Sequence, residues 1–175
     1  MWTCRQEGAI CGNLDAHMML LGISMLVVAL DQFTKFLISQ SMHLNESTPL
    51  FPDYLFLTYS QNPGMAFGFM AGMESFVRIP FFVAITIAAG FIIYTYQHLM
   101  PPDRVLTRVA LGLIWGGALG NFVDRILYGK VIDFIDMRYH EHQWYIFNLA
   151  DSCISIGLLF LFFEFIWGNR RKTEP

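Results

Sequence analysis

Two stretches of the chain hold the residue types that do chemistry. Residues 120–134 read Gly-Asn-Phe-Val-Asp-Arg-Ile-Leu-Tyr-Gly-Lys-Val-Ile-Asp-Phe, and residues 147–151 read Phe-Asn-Leu-Ala-Asp. They place Asn121, Asp124, Arg125, Asp133, Asn148 and Asp151 inside or between strongly apolar segments. A carboxylate within a membrane helix is expensive to keep, so its presence points to function. Two carboxylates brought together in low dielectric cannot both ionise cheaply. One keeps its proton and the other acts as a base. A water between them can then attack a peptide carbonyl polarised by the protonated partner. That is aspartic-protease chemistry, and it uses no metal. The same residues have a second use, as an interhelical hydrogen-bond network that holds a bundle together.

The elements that must position these residues follow from composition and pattern. Of 175 residues, 55% are hydrophobic and 14% charged, against about 25% charged in soluble domains. Mean hydropathy is +0.45. These values, with four long apolar runs, predict an all-α integral membrane protein. A net charge of -3 without a basic patch excludes nucleic acid as a partner. Cys4, Cys11 and Cys153 make no disulfide framework. Transmembrane helices are expected at 18–39, 76–97, 105–127 and 144–167, each long enough to cross the hydrocarbon core. Residues 1–17 lack the basic start and small-residue cleavage site of a removable signal peptide and read as a tail, as do residues 168–175. Residues 40–74 are too polar to span. A short strand at 55–59 and the turn Asn62-Pro63-Gly64 predict a small sheet with an interfacial helix lying on the membrane. Gly112, Gly116, Gly117 and Gly120 allow close helix approach in the third span.

Positive charge sets the sidedness. Arg104, Arg108, Arg170, Arg171 and Lys172 flank the ends that share a side with the termini, whereas 36–77 holds no Lys or Arg. Both termini are therefore expected in the cytoplasm, with 40–74 and 128–143 outside. Trp144, Tyr145 and Trp167 fit an aromatic belt. In this frame Asp31 lies about 12 Å and Asp151 about 10 Å below the outer surface. Asn121, Asp124, Asp133 and Asn148 fall in the same layer. Asp31 and Lys35, four apart, either pair or leave Lys35 to snorkel. Arg125 ties its segment together or meets lipid phosphate, and Glu164 snorkels toward Arg170 or Arg171. A proton-relaying transporter is disfavoured because no polar path continues to the cytoplasmic side. His140-Glu141-His142 lacks the HExxH spacing of a metalloprotease and reads as a solvated loop, so no metal or other cofactor is expected.

Four blocks together resemble a known family. Asp31-Gln32-Phe33-Thr34-Lys35, Asn62-Pro63-Gly64-Met65-Ala66-Phe67-Gly68, Gly120 to Phe134 and Phe147 to Asp151 are similar, in order, to the motifs of the bacterial lipoprotein signal peptidases, or signal peptidase II, over residues 18–168. The resemblance implies a membrane aspartic endopeptidase of the inner membrane. It would cut prolipoproteins just before a cysteine that carries diacylglycerol, and cyclic peptides such as globomycin would inhibit it. It implies a catalytic pair Asp133 and Asp151, supported by Asp31, Lys35, Asn62, Gly64, Asn121, Asp124, Arg125 and Asn148. It also implies four transmembrane helices with a small extracytoplasmic β-cradle and an interfacial helix. Asp136 competes with Asp133 for the pair, but Asp133 holds the family's Val-x-Asp-Phe position. Membrane lipids are the surroundings, and a monomer is expected.

Overall fold

The computed structural model describes residues 3–64, 70, 72–101, 104–139 and 142–170. The elements run α1 (Thr3–Ser41), β1 (Ser47–Phe51), β2 (Leu55–Asn62), α2 (Ser75–Leu99), α3 (Val105–Tyr128), β3 (Val131–Tyr139), β4 (His142–Gln143) and α4 (Leu149–Arg170). Among the described residues, four stretches are long and apolar enough to cross a membrane: His17–Ser41, Ser75–Leu99, Val105–Tyr128 and Leu149–Trp167. α1 continues upstream of the first span to Thr3, where a tail was expected.

The helices bury polar groups and turn apolar ones outward. Phe33, Phe36, Phe76, Phe91 and Phe165 are exposed, while Asp31, Lys35, Asp124 and Asn148 are buried. Lipid tails are as apolar as leucine, so no hydrophobic force drives helices together there. Close packing and interhelical hydrogen bonds do so instead. α3 is the central helix, with α1 on one side and α4 on another. Its small residues set the distances. A Cβ on Gly116 would lie 2.7 Å from Val27 Cβ, and one on Gly120 would lie 2.6 Å from Asp31 Oδ2. An apolar cluster of Leu20, Ile93, Met100 and Leu111 fills the end of the bundle away from the sheet.

The sheet is antiparallel in the order β1-β2-β3-β4. β1 and β2 form an antiparallel pair within 40–74, where a small sheet is expected. The stretch expected as an interfacial helix falls largely on residues 65–69 and 71, outside the described residues. β3 lies where 128–143 reads as a loop, and it supplies the sheet's central pairing. α3 ends at Gly129, whose φ of 67° is left-handed and whose N–H donates to Arg125 O. This cap turns the chain directly into β3. Arg78 of α2 pins the corner by donating to Gly129 O at 3.2 Å and Met73 O at 3.2 Å.

α4 starts at Leu149 rather than at Trp144. Residues 144–148 are not helical, and Phe147 pairs with Ile135 of β3. The first turn of α4 therefore lies beside Asp31, ten residues and about 15 Å from the sheet end of α1.

Candidate active site

The start of α4 is the hub. Asn148 is its N-cap: its Oδ1 accepts from the Asp151 N–H at 2.9 Å, and the Asp151 Oδ2 faces the Asn148 N–H at 3.4 Å. This is a reciprocal capping box, which satisfies donors a helix start leaves orphaned. The next orphan, the Ala150 N–H, donates to Asp31 Oδ1 at 3.0 Å. Two carboxylates thus sit at the positive end of the α4 dipole, where negative charge is favoured.

The Asn148 side chain also reaches across the site. Its Nδ2 donates to Asp133 Oδ1 at 2.7 Å and to Asn121 Oδ1 at 3.0 Å. Asn121 in turn donates from Nδ2 to Asp151 Oδ1 at 2.7 Å. Asp133, on β3, takes a second hydrogen bond from Asn62 of β2 at 3.1 Å, and Asn62 Oδ1 accepts from the Gly64 N–H at 2.9 Å. Asp133 is buried. That burial and the nearby Asp151 carboxylate push its carboxyl up to about 7, against the lowering effect of its two amide donors.

Behind this layer lies an ion cluster. Lys35 Nζ meets Asp31 Oδ2 at 2.8 Å, Asp124 Oδ2 at 2.9 Å and Asn121 Oδ1 at 3.0 Å. An ammonium has three donors, and all three are used. Lys35 is 2% exposed, which corrects the snorkelling alternative. Asp124 also accepts from Gln32 Nε2 at 2.8 Å and the Ile132 N–H at 3.0 Å, so it anchors the start of β3.

Arg125 spans the opposite wall. It donates to Asn121 O at 3.1 Å and Gly64 O at 3.2 Å, and its guanidinium lies 4.0 Å from the centre of the Phe82 ring. Of the two expectations for Arg125, it ties segments together. A cavity of about 210 Å³ is lined by Asn62, Arg125, Asp133, Tyr145 and Asp151, among others. Every residue named in the sequence blocks as a candidate, from Asp31 to Asp151, lies in this cavity wall or in the network directly behind it.

Asp136 does not share the site. Three residues from Asp133 on a strand, it points to the other face. There it accepts from Thr58 Oγ1 at 2.7 Å and Arg138 Nε at 3.0 Å. Two residues were passed over. Tyr145, read as part of the aromatic belt, lines the cavity, where burial followed by Asp151 and Asp133 raise its hydroxyl. Gln32 bridges Asp124 and Gly120 O, and its place next to Asp31 was the available signal. Glu164 pairs with Arg104 at 3.0 Å and accepts from Thr107; the side chains of Arg170 and Arg171, its expected partners, lie outside the described residues. His140 and Glu141 lie outside the described residues.

Comparison with known proteins agrees with this architecture. The family model for signal peptidase (SPase) II matches residues 23–167. A lipoprotein signal peptidase from Syntrophotalea carbinolica is 43% identical over 152 residues, covering 85% of this chain and 92% of that protein. One from Moorella thermoacetica is 40% identical, covering 87% and 97%. A bacterial membrane enzyme solved by the in meso method at 2.3 Å superposes with a TM-score of 0.76 at 31% identity, covering 89% of this chain and 92% of that one. The chain therefore belongs to the signal peptidase II family, membrane proteases that process the signal peptides of lipoproteins.

Proposed function

We propose that the protein is an aspartic endopeptidase in which Asp133 and Asp151 form the catalytic pair. The observation that carries this reading is their shared cavity. Asn148 and Asn121 link the two carboxylates, and Asp133 is held near neutrality by burial and by its neighbour. The pair shares one proton. Asp133, the carboxyl with the raised value, holds it and polarises the scissile carbonyl, while Asp151 takes a proton from the attacking water. The tetrahedral intermediate then collapses as the leaving nitrogen is protonated, and the original protonation is restored. Asn62, Asn121 and Asn148 fix the carboxylates. Arg125 and Gly64 form the wall against which the substrate backbone lies. Asp31, Lys35 and Asp124 hold α1, α3 and the start of β3 in register.

The substrate in this reading is a prolipoprotein cut just before its diacylglyceryl-modified cysteine. Two acyl chains keep that cysteine in the bilayer at a fixed depth. Asp151, in the first turn of α4 and about 15 Å from the end of α1, suits a bond held at such a depth. The enzyme would act as a monomer in the bacterial inner membrane, with both termini cytoplasmic and the cavity near the outer face. Cyclic peptides such as globomycin would occupy the cavity.

The test uses purified enzyme and a prolipoprotein peptide with and without diacylglycerol on its cysteine. The parent should cut only the lipidated form, and a chelator should change nothing. Asp133→Asn and Asp151→Asn should each lose at least about a thousandfold in rate while remaining folded. Retained cleavage in either variant would remove that residue from the pair.

A further inference from the structure

A second cavity, about 650 Å³, opens at the end of the bundle away from the sheet. Ile93 and Tyr96 of α2, Thr107 and Leu111 of α3, and Leu161 and Glu164 of α4 line it. α2 packs chiefly on α3, which leaves a seam between α2 and α4. One face of α4 joins the two cavities. Ile154 lines the first, Leu161 lines the second, and exposed Leu158 lies between them at helical spacing.

The walls are apolar apart from one charged cluster. Glu164 accepts from Arg104 Nη1 at 3.0 Å and from the Thr107 hydroxyl. A carboxylate has about four acceptor sites, so it can take a further donor without giving up these two. Among the described residues, Glu164 is the sole acidic side chain in this half of the spans.

Length gives the second argument. Glu164 lies thirteen residues beyond Asp151 on α4, about 20 Å along the axis. A signal peptide carries roughly 7–15 apolar residues between its basic start and its cleavage site. As a helix these span about 10–22 Å. With the scissile bond at the carboxylate pair, the basic start of a helix near the upper end of this range, about 13 residues, arrives at Glu164.

We propose that this cavity receives the amino-terminal part of the substrate's signal peptide, and that Glu164 pairs with its basic start. The proposal rests on the peptidase reading for where the scissile bond lies. Its test needs no cleavage. A labelled free signal peptide ending before the cysteine is titrated into the full-length protein in nanodiscs, once with its basic start and once with those residues made neutral. Glu164→Gln should weaken binding of the basic peptide about fivefold, the scale of a partly exposed ion pair, and leave the neutral peptide unchanged. Leu161→Trp, which fills the cavity, should weaken both peptides, and it decides the matter if Glu164→Gln fails to fold. Equal Kd values across all combinations, or no binding at all, would overturn the proposal. So would equal weakening of both peptides by Glu164→Gln, which would place the effect in helix packing or a resident lipid. Loss of cleavage in the active-site variants is read separately, so failure of the binding proposal is distinguishable from failure of the peptidase reading.

Discussion

Asp133 is unusual because its partners pull in opposite directions. Two amide donors favour its charge, while burial and Asp151 oppose it, and the opposition prevails to about 7. The folded state therefore binds this proton more tightly than the unfolded chain. Its stabilising contribution is present below the ordinary carboxylate range and is lost as pH rises through about 7. The thermal midpoint of the parent in detergent should fall between about pH 5 and pH 8, and that of Asp133→Asn should fall less. The slope is the readout, because an asparagine there turns an amide N–H toward a donor from Asn62 or Asn148. Identical slopes would sink the assignment. Lys35 makes the complementary case. Removing it leaves Asp31 and Asp124 facing one another without a cation. Lys35→Met should cost about 3–5 kcal/mol in a denaturant titration, as the loss of one partner from a buried ion cluster does. Exposed Lys130→Met should stay within about 0.5 kcal/mol. Equal losses would mean that the cluster does not hold the helices.

At the scale of elements, the approach of α1 to α3 decides whether the network forms. A Cβ on Gly120 would lie 2.6 Å from an Asp31 oxygen that already binds Lys35. Gly120→Val should therefore abolish lipoprotein signal-peptide processing in cells and lower stability. Gly22→Ala, with nothing within 4 Å, should leave processing intact. Normal processing by Gly120→Val would show that the two helices can separate without harm. The spacing of Gly116 and Gly120 made this contact legible in the sequence, and the four apolar runs made the spans legible. β3 was not legible. Its residues 131–134 are all buried, so both faces are covered and the alternation that marks a half-exposed strand is missing. Its partner β2 is also distant in sequence. The start of α4 was misjudged for a related reason. Trp144 to Phe147 are apolar enough to extend a span, and only the capping box of Asn148 and Asp151 marks the true boundary. Once that boundary is known, the depth of Asp151 follows from the fold rather than from a count back to an aromatic belt.

The carboxylate and amide network gathers inside one end of the molecule, the end that the sheet closes, and the interior of the other end is largely apolar. Water and a charged intermediate can be accommodated beside Asp133 and Asp151. At the opposite end the Glu164 cluster borders an otherwise apolar cavity, and Arg108 and Gln97 are buried beside it. Such a division is useful only in one orientation. In the proposed reading a lipoprotein precursor threads from the cytoplasm, so its basic start stays inside while its modified cysteine nears the outer face. That reading puts the Arg104 and Arg108 end in the cytoplasm, the side that the distribution of positive charge predicts. Single cysteines placed in a background with Cys4, Cys11 and Cys153 replaced by serine test this directly. His43→Cys, at an exposed site beside the sheet, should react with a membrane-impermeant maleimide on intact cells. Pro101→Cys, exposed at the other end, should react only after the membrane is opened. The reverse pattern would put the carboxylate pair on the cytoplasmic side. No substrate anchored by its cysteine near the outer face could then reach it, and the proposed match between Glu164 and the basic start would fail with it.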